Sequence, residues 1–294
     1  MLIKRCPNSL GTNLNLANKT GSFLSMRNAW LIIAHNEFEV LQRLVSLLDD
    51  ERSDIFIHFD KKVKEVPTIS VKRGRLFVLD NRVDVRWGSV SQIETELVLL
   101  EAALQHGPYV HYHILSGTHL PLKPVTELLT FYDSHAGEEI MRFWPDDKGD
   151  ADFKLRRYHF PLRDYKSPDA TRRRLCQLAW QIVIKIQKVL GIRHLEEYKF
   201  CKTDNWISLS DSACHYLVSH KDKILQRYRW SFCGDEYFAA SELKSSPTAF
   251  KILDCQQLLY VEFQKDTPRT FPLADYPKLQ GTGRWWARKF TAQS

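Results

Sequence analysis

The sequence predicts an α/β fold, an open sheet layered with helices. Two observations carry that expectation. Strand-like apolar runs alternate with helix-spaced apolar positions over the first 130 residues, the pattern of sheets whose connections are helical. Polar side chains then gather just past the strand ends, at His35, Asp60 and Ser116, where doubly wound sheets open their ligand crevice.

The elements follow in order. Ala29–Ala34 reads as a buried strand ending at His35-Asn36. Phe38, Leu41, Leu44, Val45 and Leu48 then recur at helical spacing, with Asn36 as the expected cap and Glu39 completing a box-like start. Ile55–Phe59 and Leu76–Leu79 are the next strands. Ser91-Gln92-Ile93-Glu94 reads as a capping box for a helix that turns Ile93, Leu97, Leu100 and Leu104 inward and closes at Gly107. Tyr109–Leu115 is a further strand with Ser116-Gly117 as its turn, and Pro124 starts a helix over Val125–Tyr132. Beyond this the pattern is less regular. Glu139–Phe143, Asn205–Leu209 and Leu258–Phe263 read as strands, Thr171–Leu190 and Asp211–His220 as helices. No repeat and no Gly-, Pro- or Ser-rich linker divides the chain, so one folded unit is expected from Met26 onward. Residues 1–25 lack periodicity and an apolar core segment, and read as a disordered leader or a mis-assigned start.

Composition narrows the class. A chain of 294 residues can bury a sizeable core. With 26% charged residues, 12 Gly and 12 Pro, it is not collagenous, low-complexity or wholly disordered. No apolar run approaches the roughly 20 residues that span a bilayer. The six cysteines form no C-x-x-C pair and no tight Cys/His cluster. They read as reduced, mostly buried thiols of a cytosolic protein, without a zinc site or a disulfide framework. The Walker A, dinucleotide and G-x-S-x-G patterns are absent, which disfavours ATP, NAD and serine-hydrolase chemistry.

The net charge of +7 is concentrated. Residues 154–193 carry +9 and the remainder −2. That segment reads either as a core-packing helix with a solvated basic entry, or as a patch that contacts anionic lipid or a lipid-linked substrate. A non-catalytic basic binder of nucleic acid or anionic glycan is the alternative from another class. The cations and Trp285-Trp286 support it, and the lack of any nucleic-acid motif opposes it.

Three clusters could carry chemistry. Asp150-Ala151-Asp152 matches a metal-holding D-x-D, but Lys148-Gly149 precedes it where an apolar strand is usual, so a solvated loop without metal is expected. Gly234-Asp235-Glu236 opens a helix in which Asp235 could cap and Glu236 could serve as a cleft base. The same pair also fits a plain cap with an exposed first-turn acid. Arg269, after a proline, and Lys289, within Trp285-Trp286-Ala287-Arg288-Lys289-Phe290, could grip phosphate or make cation–π pairs.

An ordered set of segments goes further. These are Ile32-Ile33-Ala34-His35-Asn36, Ile57-His58-Phe59-Asp60-Lys61-Lys62, Trp87-Gly88-Ser89-Val90-Ser91, and His113-Ile114-Leu115-Ser116-Gly117 with Leu120-Pro121-Leu122-Lys123. Asn205-Trp206-Ile207-Ser208-Leu209, Asp235-Glu236-Tyr237-Phe238, Ser246-Pro247, Thr267–Phe271 and Ala287-Arg288-Lys289-Phe290 complete it. Over residues 29–290 the chain resembles the core-2/I-branching N-acetylglucosaminyltransferase family, which also holds peptide O-xylosyltransferases. The resemblance implies a glycosyltransferase A-type fold, with a Rossmann-like nucleotide-sugar half over 26–135 and an acceptor and catalytic half over 136–294. It implies inverting, metal-independent transfer from a UDP-sugar to a glycan hydroxyl, most often of N-acetylglucosamine in β-1,6 branching, with no cofactor and no nucleic acid. A xylosyl-type transfer, or a catalytically idle partner subunit, are the readings that compete within the family.

Residue by residue, the family's base falls on Glu236 and its pyrophosphate-holding cations on Arg269 and Lys289. His35 and Asp60 match positions at the uridine end. Trp87, Ser116 and Asp235 lie in matching motifs on the donor side. His119 stands where an aspartate is common, so no role transfers to it. A bacterial-type cytoplasmic enzyme, peripheral to the inner face of the membrane and using a glycan or lipid-linked glycan acceptor, fits the resemblance best.

Overall fold

A computed structural model of the chain describes residues 4–5, 26–145, 148–265 and 267–293. The expected leader therefore lies outside the described residues, apart from Lys4–Arg5, which forms β1, an edge strand parallel to a late strand of the same sheet. At the centre are β2 (Asn28–Ala34) and β3 (Ser53–Phe59), followed by β4 (Arg75–Val78). Helix α1 (Phe38–Leu48) joins β2 to β3, and α2 (Ser91–Leu104) leads to β5 (Tyr112–Ser116). β2 pairs in parallel with β3 on one side and β5 on the other. Both faces are covered. Trp30, Ile32 and Ala34 pack with Leu41, Leu44 and Leu48 of α1, while Ala29 and Leu31 pack with Ile93, Leu97 and Leu100 of α2. Burial on both faces is why these strands read as unbroken apolar runs instead of alternating ones.

The two expected caps are replaced by other contacts. Asn36 does not cap α1; Glu37 precedes the helix at φ 53°, with no side-chain cap bond. The Glu37 carboxylate instead accepts from Thr291 Oγ1 and Ala292 N, each at 3.0 Å. The expected box at Ser91–Glu94 is also absent, for α2 has no side-chain cap bond. Ser91 Oγ accepts from Arg86 N at 2.7 Å, and Gln92 reaches to Asp235 at 2.8 Å. The helix ends at Leu104, short of Gly107. β5 starts three residues later than expected, although Val110 N and Ala29 N already bond Arg27 O and His111 O across the gap at 2.9 Å.

After β5 come β6 (Leu120–Pro121), α3 (Val125–Ser134), β7 (Glu138–Met141), α4 (Lys148–Leu155) and α5 (Ala170–Leu190). β8 (Ser208–Leu209), α6 (Asp211–Ser219), α7 (Lys221–Tyr228), α8 (Phe238–Ser245) and β9 (Lys251–Asp254) follow. Among the described residues the main sheet has eight strands in the order β1-β9-β7-β8-β5-β2-β3-β4. Only β8 runs against its neighbours β5 and β7. The second half of the chain thus extends the sheet of the first. The expected strand over 205–209 shrinks to β8, because Asn205 turns aside to bond Asp235 at 3.1 Å. Asp150 and Asp152 lie on helix α4, not in a solvated loop, and each is paired with cations.

α5 spans the expected range. Asp169 caps it by accepting from Thr171 N and Arg172 N, and Gly191 closes it at φ 65°. The core-packing reading of this helix fails, for only Cys176, Ile184 and Gln187 are buried, while Leu175, Leu178, Ile182, Ile186, Val189 and Leu190 are all at least half exposed.

The expected strand over 258–263 divides into β10 (Leu259–Tyr260) and β11 (Phe263–Gln264). β11 turns back on β12 (Thr267–Pro268). β13 (Phe271–Pro272), α9 (Tyr276–Gln280), β14 (Trp286–Ala287) and β15 (Phe290–Thr291) complete the chain. β14 lies between β10 and β6, which brings the C-terminal segment across the turn that follows β5. Cys176, Cys201, Cys214, Cys233 and Cys255 are free thiols, and no described helix is long and apolar enough to cross a membrane.

Candidate active site

The sheet's strand order reverses between β2 and β5, the point at which a crevice beyond the carboxyl ends is expected; the open cleft found lies past β2 and β3, and Ser116 does not line it. His35 follows β2, Asp60 follows β3 and Ser116 ends β5. An open cleft of about 670 Å³, within the range of small-molecule sites, is lined by His35, Phe38, Asp60, Lys62, Val63 and Pro67. Asp60 is buried and accepts from Lys62 twice, from N at 2.9 Å and from Nζ at 2.6 Å. The rim of His35 is solvent-exposed, yet its ring loses enough hydration in the cleft to lower its pKa. Lys289 lowers it further and Asp60 opposes the shift, so these three predicted residues share one electrostatic site. Lys289 makes no ion pair among the described residues; burial and then Arg288 and Lys166 lower its pKa.

Asp235 and Glu236 sit in a tight turn before α8, on Gly234–Glu236. Asp235 does not cap that helix. It is buried, and its Oδ2 accepts from Gln92 Nε2 at 2.8 Å and Asn205 Nδ2 at 3.1 Å, while Oδ1 has no hydrogen-bond partner among the described residues. Burial first, and the Glu236 charge second, raise its pKa to about 7. Behind it Glu96 is wholly buried, and desolvation with the Asp235 charge drives its carboxyl well above the ordinary range. Glu236 is one-third exposed and faces a different environment. Lys154 Nζ lies 2.8 Å from it and Lys202 Nζ 3.8 Å. Burial lowers the Lys154 pKa, but Glu236 and Asp150 more than reverse this, so the ammonium is held charged.

The Trp87 turn ties the two regions together. Gly88 has φ +76°, and a Cβ there would stand 2.8 Å from the Phe232 ring. Its carbonyl accepts from Cys233 N at 2.9 Å, which seats the turn against the segment leading to Glu236. Trp87 stacks on Tyr165, with Lys166 Nζ 3.5 Å from its ring centre. Ser116 Oγ bonds Thr118 Oγ1 and His119 Nδ1, both at 2.9 Å. His119 is buried edge-on against Trp206, and the other face of the chain of contacts is Arg288, 4.8 Å above the Trp206 ring.

Arg269 stands apart. Its guanidinium pairs with Glu262 at 2.8 Å and Asp275 at 3.9 Å, and its carbonyl, 3.5 Å from Lys289 N, links it to the Lys289 segment.

Sequence reasoning missed Arg288, Lys154, Lys202 and Gln92. Arg288 is the most telling. Burial lowers its pKa to about 10 against the opposing pull of Asp204 and Asp235, and its Nε has no hydrogen-bond partner among the described residues. Its place in Ala287-Arg288-Lys289-Phe290 was the available signal. Nothing local marked Lys154 or Lys202. Asp150 accepts from Lys202 at 2.6 Å and from Tyr237 Oη at 2.6 Å, and Lys154 is 3.2 Å away. Asp152 pairs with Arg193 and, at 3.8 Å, with Arg157. Among the described residues no three His, Cys, Asp or Glu side chains are grouped as a metal ion would need.

The family model described as Core-2/I-Branching enzyme matches residues 28–272. That stretch includes His35, Asp60, Trp87, Ser116, Asp235, Glu236 and Arg269, and stops before Arg288 and Lys289. No curated protein matches the chain.

Proposed function

We propose, from the premise that the chain belongs to the Core-2/I-branching enzyme family of glycosyltransferases, that it transfers a sugar from a UDP-sugar to a glycan hydroxyl with inversion and without a metal ion. N-acetylglucosamine in β-1,6 branching is the donor sugar and linkage we assign. The observation that carries this reading is Glu236, a part-exposed carboxylate paired with Lys154 and within electrostatic reach of the buried cation Arg288, the residue before Lys289.

The step balances with these groups. The acceptor oxygen attacks the anomeric carbon, the bond from that carbon to the diphosphate oxygen breaks, and UDP leaves with the electron pair. Glu236 takes the hydroxyl proton. Charge developing on the diphosphate is met by fixed cations, the task a metal performs in other sites. Lys289 is the first of them, since among the described residues no carboxylate forms an ion pair with it and the Glu37 charge acts on it only at a distance. Arg269 joins only by exchanging Glu262 for the diphosphate. Asp150 and Asp152 are engaged by lysine and arginine, which supports a metal-free reaction. His35 and Asp60 face the cleft where the uridine would lie.

The test is transfer from a panel of UDP-sugars to glycan acceptors in excess EDTA. Turnover is expected to persist, and Glu236→Gln to lower kcat on the order of 10²-fold or more while UDP binding by calorimetry is unchanged. Loss of turnover in EDTA, restored by a divalent cation, would remove the metal-free claim. Full activity of Glu236→Gln would remove the base.

A further inference from the structure

The outer face of α5 takes no part in the proposed transfer and is exposed. One side of this helix is buried through Cys176, Ile184 and Gln187, and Trp180 donates to His159 Nδ1 at 3.0 Å. On the opposite side Leu175, Leu178, Ile182, Ile186 and Val189 recur at intervals of three, four, four and three residues. That spacing aligns them in one stripe on a helix of 3.6 residues per turn. All are 50–77% exposed, and Leu190 at 66% extends the stripe. A soluble surface rarely leaves such a contiguous apolar strip open without a partner.

Charge decides which partner. Arg172, Arg174, Lys185 and Lys188 are exposed around the stripe, and residues 170–193 contain no Asp or Glu. A second copy laid on this face would bring like charges together. An anionic surface would be attracted by the same cations. We infer that α5 is an in-plane membrane anchor, with its leucine and isoleucine stripe among the acyl chains and its arginines and lysines at anionic lipid headgroups. The helix lies beside the acid pair, because Trp180 contacts Phe153 of α4 edge-on at 5.9 Å, and Lys154, the next residue, pairs with Glu236. Docking through α5 therefore holds the reaction site within one helix layer of the lipid surface. Docking through α5 and sugar transfer are separate properties of the chain.

The test is co-sedimentation of the full chain with phosphatidylcholine vesicles, alone and with roughly one lipid in four replaced by phosphatidylglycerol. Binding is expected to the mixed vesicles only, and to weaken when salt is raised from about 0.1 to about 0.5 M. Leu178→Gln with Ile182→Gln is expected to weaken it at least about tenfold, as is Arg174→Gln with Lys185→Gln. All four positions are exposed, so circular dichroism and the unfolding midpoint should match the parent. Equal pelleting with both vesicles, or binding unchanged by either pair, would overturn the anchor. A lipid-free dimer that the Leu178/Ile182 pair dissolves would also overturn it and assign the stripe to a second copy.

Discussion

Asp235 and Glu236 are chemically near-identical neighbours that the fold sends into opposite surroundings. Asp235 is buried against Gln92 and Asn205, and its pKa stands at about 7, whereas an unfolded chain would ionise it near 3.8. The folded state therefore holds a proton that the unfolded state has lost. Stability from this group is complete below pH ~4 and is lost as pH rises toward 7. Asp235→Asn keeps the shape and the acceptor oxygen but removes the titration. Urea midpoints measured from pH 4 to 8 should fall with pH in the parent, and the Asn variant should flatten that slope below pH 7. An unchanged slope would show that Asp235 does not hold the proton. At this scale the sequence was informative where chemistry is local. Two adjacent acids after a glycine marked Glu236 as a base candidate. Arg288 differs from other aromatic-flanked cations only by tertiary burial, which no spacing announces. Lys154 and Lys202 become partners of Glu236 only when segments 82 and 34 residues distant fold onto it.

Elements show the same division between what a pattern determines and what packing determines. α5 is legible as a helix over Thr171–Leu190, and the structure adds the Asp169 and Gly191 caps that fix its ends. Which of its faces would be buried was not legible, since apolar residues occur on both. The caps of α1 and α2 were misread for a related reason: Asn36 and Ser91 have capping chemistry, but Glu37, Ser91 and Gln92 are drawn into contacts with distant segments. α4 is the sharpest case. Its Asp150 and Asp152 spell a metal motif, yet helical spacing puts Lys154 one turn past Asp150, where its Nζ lies 3.2 Å from Asp150 and 2.8 Å from Glu236. The helix thus positions a cation on the proposed base. Lys154→Met should let that carboxylate rotate out of line, and misplacement of about an ångström costs on the order of 10²-fold in rate. The expected result is a fall in kcat with donor KM held, and recovery of most of it in Lys154→Arg. A rise in KM alone would place Lys154 in donor binding.

Across the whole molecule, one sheet carries both halves, so the residues proposed for the uridine end, after β2 and β3, and the acid pair before α8 belong to a single frame. What closes that frame is the C-terminal segment. β14 enters between β10 and β6, Trp286 Nε1 donates to Tyr132 Oη at 3.1 Å, and β15 pairs with β13. The last fastening is Glu37, whose two carboxylate oxygens receive Thr291 Oγ1 and Ala292 N. Glu37 sits two residues past His35, and Thr291 two residues past Lys289, so this contact sets the spacing between the proposed uridine end and the proposed diphosphate cation. Glu37→Ala removes both bonds at once and leaves the half-buried Thr291 and Ala292 donors to water, a loss of about 1–3 kcal/mol confined to this segment. Hydrogen exchange over residues 285–293 should quicken, and donor KM should rise several-fold with kcat nearly unchanged, since Glu236 and Lys154 are not touched. If exchange quickened while donor KM stayed fixed, Lys289 would not be a donor-binding cation. If kcat fell as well, the C-terminal segment would also be shaping the acid pair through Arg288.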